Sequence, residues 1–162
     1  MNLICRDLLY NKICSSILIP NKIRRVFYKM GGIQVGKKVK ICARCFVGNN
    51  NLSIGDNTFI NYDVWFNTAG GIKIGSKCNI AYKVSFITST HEVGDENRRA
   101  GEARSEGIEV GDGSWIGAGA IILPGVKIGR GVIIGSGAVV TKDCEDNCVY
   151  AGNPATKIKE LC

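Results

Sequence analysis

His91 is the only histidine in this sequence, and it stands at the lip of the one long break in an otherwise regular pattern. Imidazole takes and gives protons near neutral pH, which makes it the natural general base for activating a hydroxyl. The eight cysteines are the other side chains that could do chemistry. Cys42 and Cys45 form a CxxC, and Cys144 and Cys148 a looser pair. Zinc needs four suitable ligands, and one histidine with no second CxxC does not supply them, so no metal site is expected. Cys45 and Cys78 read better as small packing residues, and Cys42 occupies a slot where glycine often sits.

The pattern that must position His91 has a period of six. Val35, Ile41 and Val47 begin it; Ile54, Ile60 and Phe66, then Ile74, Ile80 and Phe86, repeat it. After a gap come Val110, Ile116 and Ile122, then Ile128, Ile134 and Val140. A period of six in blocks of eighteen predicts a parallel β-helix of hexapeptides, three short strands to a coil. Small or apolar residues two places earlier, such as Cys78, Val84, Ser114 and Ala120, share the inward face, because side chains on a strand alternate. Glycine often follows the apolar residue, as at Gly36, Gly55 and Gly111, where it would permit tight corners and close backbone approach. A helix fails on period, and a β-sandwich returns its strands at longer spacing.

From Phe86 to Val110 is a step of 24 residues where six would suffice, so a polar loop of about 91–107 leaves the prism beside His91. Loops grafted onto solenoids commonly carry function. The remaining chain reads as one β-helix domain, 31–162, preceded by a helical segment, 1–30. That segment carries an apolar stripe (Leu3, Ile4, Leu8, Leu9, Ile13, Ile17) up to Pro20 and a second helical stretch from Ile23 to Met30. The first forty residues hold nine Lys/Arg and one acid, Asp7, and so account for the net charge of +7. Charges at 6, 7 and 12 interrupt any signal-peptide core or membrane span. The segment reads first as a cap on the open end of the β-helix, and second as a basic helix at an anionic membrane surface. No nucleic-acid motif accompanies the charge. Without a secretion signal, free thiols and a cytoplasmic location, up to the inner membrane surface, are expected.

Thr90-His91, Ile108 to Ala120 (IEVGDGSWIGAGA), Pro124-Gly-Val-Lys-Ile-Gly, Ile134 to Asp143 (IGSGAVVTKD) and Ala151-Gly-Asn-Pro-Ala resemble the hexapeptide acyltransferases. The nearest branch is that of the maltose, galactoside and nodulation acetyltransferases with the polysaccharide O-acetyltransferases, matched from about Gly31 to Lys159. The resemblance implies an all-β, left-handed parallel β-helix, a homotrimer, acetyl-CoA as donor and active sites between subunits. It assigns His91 as catalytic base and Asn61, thirty residues earlier, as an active-site asparagine. It places Trp115, Ala118, Ser136, Thr141, Lys142 and Lys159 against coenzyme A, with Lys159 reaching the phosphates of the nucleotide end. The longer N-terminal region of the maltose and galactoside enzymes has no counterpart in residues 1–30.

The implied reaction is O-acetylation of a sugar hydroxyl, in a surface polysaccharide or its lipid-linked precursor. N-acetylation of an amino or nucleotide sugar, and a non-catalytic scaffold, are the alternatives. A γ-type carbonic anhydrase needs three histidines and is excluded. Register puts Asn61 at the start of the second face of its coil and His91 at the end of the third, so one from each of two neighbouring prisms would have to meet.

Overall fold

In a computed structural model describing residues 3–161, the hexapeptides wind into the expected left-handed parallel β-helix. Its strands are two or three residues long through the first five coils. Face one stacks Gln34–Val35, Leu52–Ile54, Ile72–Ile74, Ile108–Val110 and Lys127–Ile128 in parallel. Face two stacks Lys40–Ile41, Phe59–Ile60, Asn79–Ile80, Trp115–Ile116 and Ile133–Ile134, and ends with Cys148–Gly152 and the antiparallel Ala155–Glu160. Face three stacks Phe46–Val47, Trp65–Asn67, Ser85–Ile87, Ile121–Ile122 and Val139–Val140. A sixth coil, unsigned by the apolar repeat, begins where Cys144 bridges to Ile128.

Register is fixed by what points inward. Each repeat apolar residue and the residue two before it are buried, and like stacks on like: Phe66 and Phe86 lie 5.4 Å apart and nearly parallel. Polar residues enter this column only with their hydrogen bonds made. The Thr58 hydroxyl donates to Gly75 O at 2.8 Å and accepts from Cys78 N at 3.1 Å; Ser114 does the same with Gly129 O and Val132 N.

The glycine after the apolar residue serves close approach and not the turn. Between faces one and two, Gly36, Gly55, Gly75, Gly111 and Gly129 fill that slot, all with φ outside the left-handed region. A Cβ on Gly111 would sit 2.6 Å from Gly129 C in the next coil. The left-handed turn falls two residues later. There Gly113, Gly119, Gly125, Gly131 and Gly137 have φ between 63 and 81°, but Lys38, Arg44, Asn57, Asp63, Lys77 and Lys83 adopt φ of 54–61° in the first half.

The N-terminal segment closes the open end. Helix α1 (Leu3–Asp7) runs on as π-helix over Leu8–Cys14, and α2 spans Asn21–Met30, starting two residues before the expected Ile23. Asn11 behaves as an added strand residue, accepting from Val47 N and donating to Val47 O at 2.9 and 3.2 Å. Asn21 Oδ1 accepts from Ile41 N, and Ser15 O from Arg44 N, at 2.8 Å each. Buried Arg24 spreads its charge over four carbonyls, those of Cys14, Ser16, Ile19 and Ile41, at 2.5–2.8 Å. These bonds pair backbone groups that the first coil would otherwise leave open.

Gly111 and Gly113 separate the two roles of glycine. Gly113 has φ +74° and open space around its missing Cβ, so Gly113→Ala should cost only the left-handed penalty, about 1 kcal/mol. Gly111→Ala drives a methyl into backbone and should cost about 3 kcal/mol or more. Urea unfolding of both variants checks this; equal losses would mean that the coils separate freely.

Candidate active site

The polar loop beside His91 is a β-hairpin. Ser89–Val93 pairs antiparallel with Ala100–Ser105, so it starts two residues before and ends two before the expected 91–107. Its base is anchored from face three: Asn67 Oδ1 accepts from the Thr88 and Ser89 hydroxyls at 2.9 and 3.0 Å, and Thr88 O accepts from Glu106 N at 2.9 Å. Asp95 Oδ1 accepts from the Asn97 and Arg98 amides and shapes the tip, so this oxygen serves the turn. Arg104 ties the strands across, 3.3 Å from Glu92 and 2.9 Å from Glu106. Asn67, Thr88 and Ser89 escaped the sequence analysis; the hydroxyl run Thr88-Ser-Thr before His91 was the available signal.

His91 is exposed on the first hairpin strand, opposite Ala103. Its Nδ1 lies 2.9 Å from Gly101 O. A carbonyl oxygen only accepts, so Nδ1 carries the proton and neutral His91 presents an unprotonated Nε2. That is the tautomer a base needs, held by backbone.

Asn61 follows Phe59–Ile60, so it sits at the end of face two, at the corner leading to face three, and not at the start of face two. Its Oδ1 accepts from Tyr62 N at 2.9 Å, which fixes the amide orientation and leaves the NH2 to donate elsewhere. Ala118 and Ser136 lie at the same corner two and three coils further along, joined by Gly137 N to Ala118 O at 2.8 Å. Tyr62 and Tyr82 stack there as well, with ring centroids 6.2 Å apart.

Trp115 and Lys159 share one outward row of face two. The register runs Lys159, Val149, Ile133, Trp115, strand to strand. Trp115 is about half exposed, and Val149 and Ile133 are half-buried. The row is an apolar track of about 14 Å at the usual strand spacing, with an exposed ammonium at one end. Thr141 and Lys142 are elsewhere, exposed at the corner between faces three and one, which is the corner that carries the hairpin. Within one chain the candidate residues therefore form two groups. Asn61, Trp115, Ala118, Ser136 and Lys159 belong to face two and its following corner; His91, Thr141 and Lys142 belong to the next corner. A groove of about 570 Å³ along face one, beside Lys73, Glu109 and Lys127, touches neither group.

Buried Cys45 and Cys144 are poor nucleophiles. Burial pushes Cys45 and Cys144 up to about 12, and Asp143 adds to the shift of Cys144. Glu145, Cys148 and Glu160 converge as a metal-ligand set could, but Lys157 Nζ lies 2.7 Å from both carboxylates and stands where a cation would. Those two hydrogen bonds hold the Lys157 ammonium above the ordinary lysine range.

Residues 107–142 match the family model described as "Bacterial transferase hexapeptide (six repeats)". Nodulation protein L of Rhizobium meliloti is 36% identical over 126 residues, 78% of this chain and 68% of that protein. Galactoside O-acetyltransferase of Escherichia coli is 37% identical over 116 residues, 72% of this chain and 57% of the enzyme. The match spans 54–58% of the length of several other relatives. Among solved structures, a maltose O-acetyltransferase from Clostridium difficile superposes with TM-score 0.78 at 31% identity, over 93% of this chain and 82% of that one. A galactoside acetyltransferase in complex with coenzyme A gives 0.86 at 29%, over 96% and 78%.

Because His91 is the only histidine, the nitrogen-15 shifts of its ring can be read without assignment. At a pH where the ring is neutral, the Nδ1–H tautomer should dominate. A dominant Nε2–H form would show that Gly101 O does not hold the ring.

Proposed function

We propose that this chain, which belongs to the hexapeptide-repeat acetyltransferases, transfers an acetyl group from acetyl-CoA to a sugar hydroxyl, at sites shared between subunits of a homotrimer. The observation that carries the proposal is the Nδ1 contact of His91 with Gly101 O, which leaves Nε2 as a proton acceptor on an exposed edge. Nε2 takes the proton of the acceptor hydroxyl as its oxygen attacks the thioester carbonyl. The Asn61 NH2, or a nearby backbone N–H, donates to the oxyanion that forms. Collapse of the tetrahedral intermediate expels the thiolate of coenzyme A, which recovers the proton from His91. Transfer is direct, in a ternary complex.

The track from Trp115 to Lys159 suits the donor: an apolar row for the pantetheine arm and an ammonium for a nucleotide-end phosphate. Ala118 and Ser136 line the adjoining corner, and Thr141 and Lys142 meet the donor from the corner that carries His91. These groups meet when one prism lays face two against the hairpin corner of its neighbour, which is why a trimer is proposed. The acceptor is read as a hydroxyl-rich glycan, in a surface polysaccharide or its lipid-linked precursor. Glu96, Asn97 and Arg98 at the exposed hairpin tip are suited to such a ligand. Acetyl-CoA as donor places the reaction in the cytoplasm.

His91→Ala should lower kcat about 100- to 10,000-fold with trimer mass and coenzyme A affinity kept. Activity within a few-fold of wild type would remove His91 from the chemistry. Lys159→Ala should raise KM for acetyl-CoA more than it lowers kcat, because a remote phosphate contact is the same in ground and transition states. An unchanged KM would place Lys159 on a solvated face. With glycans and amino sugars offered at equal concentration, acetylation of amines alone would replace the O-acetyl reading.

A further inference from the structure

The N-terminal cap covers the solenoid with one face only. Tyr10, Cys14, Arg24 and Tyr28 point inward and are buried. The opposite face is apolar and wet: Ile4, Leu8, Ile17, Leu18, Val26 and Met30 are 51–85% exposed. Of fourteen large apolar side chains exposed among the described residues, eight fall within the first thirty positions, more than capping requires. On α2, Ile23, Val26 and Met30 follow at intervals of three and four, a single stripe turned away from Arg24 and Tyr28. Lys22 and Lys29 are exposed beside that stripe, and Lys12 is exposed on the preceding helix. The one acid of the first forty residues, Asp7, lies 3.0 Å from Arg6.

We propose that this outer face docks on an anionic lipid bilayer. The aliphatic side chains enter the boundary between headgroups and acyl chains, and the lysines extend to lipid phosphates. Charge decides the occupant. A second copy meeting this face with its own would set lysine against lysine, whereas an anionic surface attracts each one. No helix among the described residues is long and apolar enough to cross a membrane, so the cap lies on the surface. Ile17 also lines a groove of about 260 Å³ with Phe59 and Tyr62, so the docking face adjoins the corner that carries Asn61. The inference rests on the cap alone and is independent of the acetyl-transfer reading.

The test is co-sedimentation of the full chain with vesicles of phosphatidylglycerol and phosphatidylcholine, against vesicles of phosphatidylcholine alone. Wild type should bind the anionic vesicles at least about tenfold better and be released at about 0.5 M salt. Each lysine near such a surface contributes about fivefold, so Lys22→Glu with Lys29→Glu should weaken binding about 25-fold or more. Ile17→Ser with Leu18→Ser should weaken it about tenfold. These positions are exposed, so melting temperature and mass by light scattering should stay at wild-type values. Four results would each overturn the proposal: wild type left in the supernatant, equal binding to neutral and anionic vesicles, either double variant binding as wild type does, or a fall in mass in the serine variant, which would make this face a subunit contact.

Discussion

The structure depends on how closely one coil sits on the next. At the corner between faces one and two, the residue after the inward apolar side chain touches the backbone of the following coil, and all five of the first coils place glycine there. That close contact holds the coils in register. The same slot after face two takes Cys42, Asn61 and Ala81 in the first three coils and glycine, Gly117 and Gly135, in the next two; after face three it takes Asn67 and Thr141 as well as Gly48.

The candidate base and the candidate oxyanion donor leave from different corners of the prism. Asn61 emerges at the corner after face two, where its side-chain oxygen is bound by the Tyr62 amide and its NH2 is left to donate. The hairpin of His91 leaves at the corner after face three, stiffened by Asn67 beneath it and Arg104 across it. A rigid prism cannot fold these corners onto each other, so a single chain keeps the two residues on different edges. The missing wall is supplied in our proposal by a neighbouring subunit.

The period of six was legible because burial is absolute at the inward positions, and nothing polar survives there without the bonds Thr58 and Ser114 make. The turn position was not, because lysine, arginine, asparagine and aspartate fill it through the first half of the chain at positive φ, and only the second half writes it in glycine. The hairpin was read as a loop since both of its faces are wet along Ala100–Ser105, so no alternation of burial marks its sequence. Arg24 looked like one more member of a basic helix; nothing in its neighbours announces that four carbonyls enclose it. His91 stood out by its place at the break in the repeat; the other candidate residues came through family resemblance to ordered motifs. Their separation into two groups needed the faces to be built.

The shared site is the central claim, and subunit complementation tests it most directly. His91→Ala and Asn61→Ala chains, each expected to lose most activity as a homotrimer, are co-expressed at equal levels and the mixed trimers assayed. If each site takes His91 from one subunit and Asn61 from its neighbour, random mixing restores about a quarter of the wild-type sites. Mixed trimers no more active than their parents would place both residues in one chain's site and contradict the shared geometry.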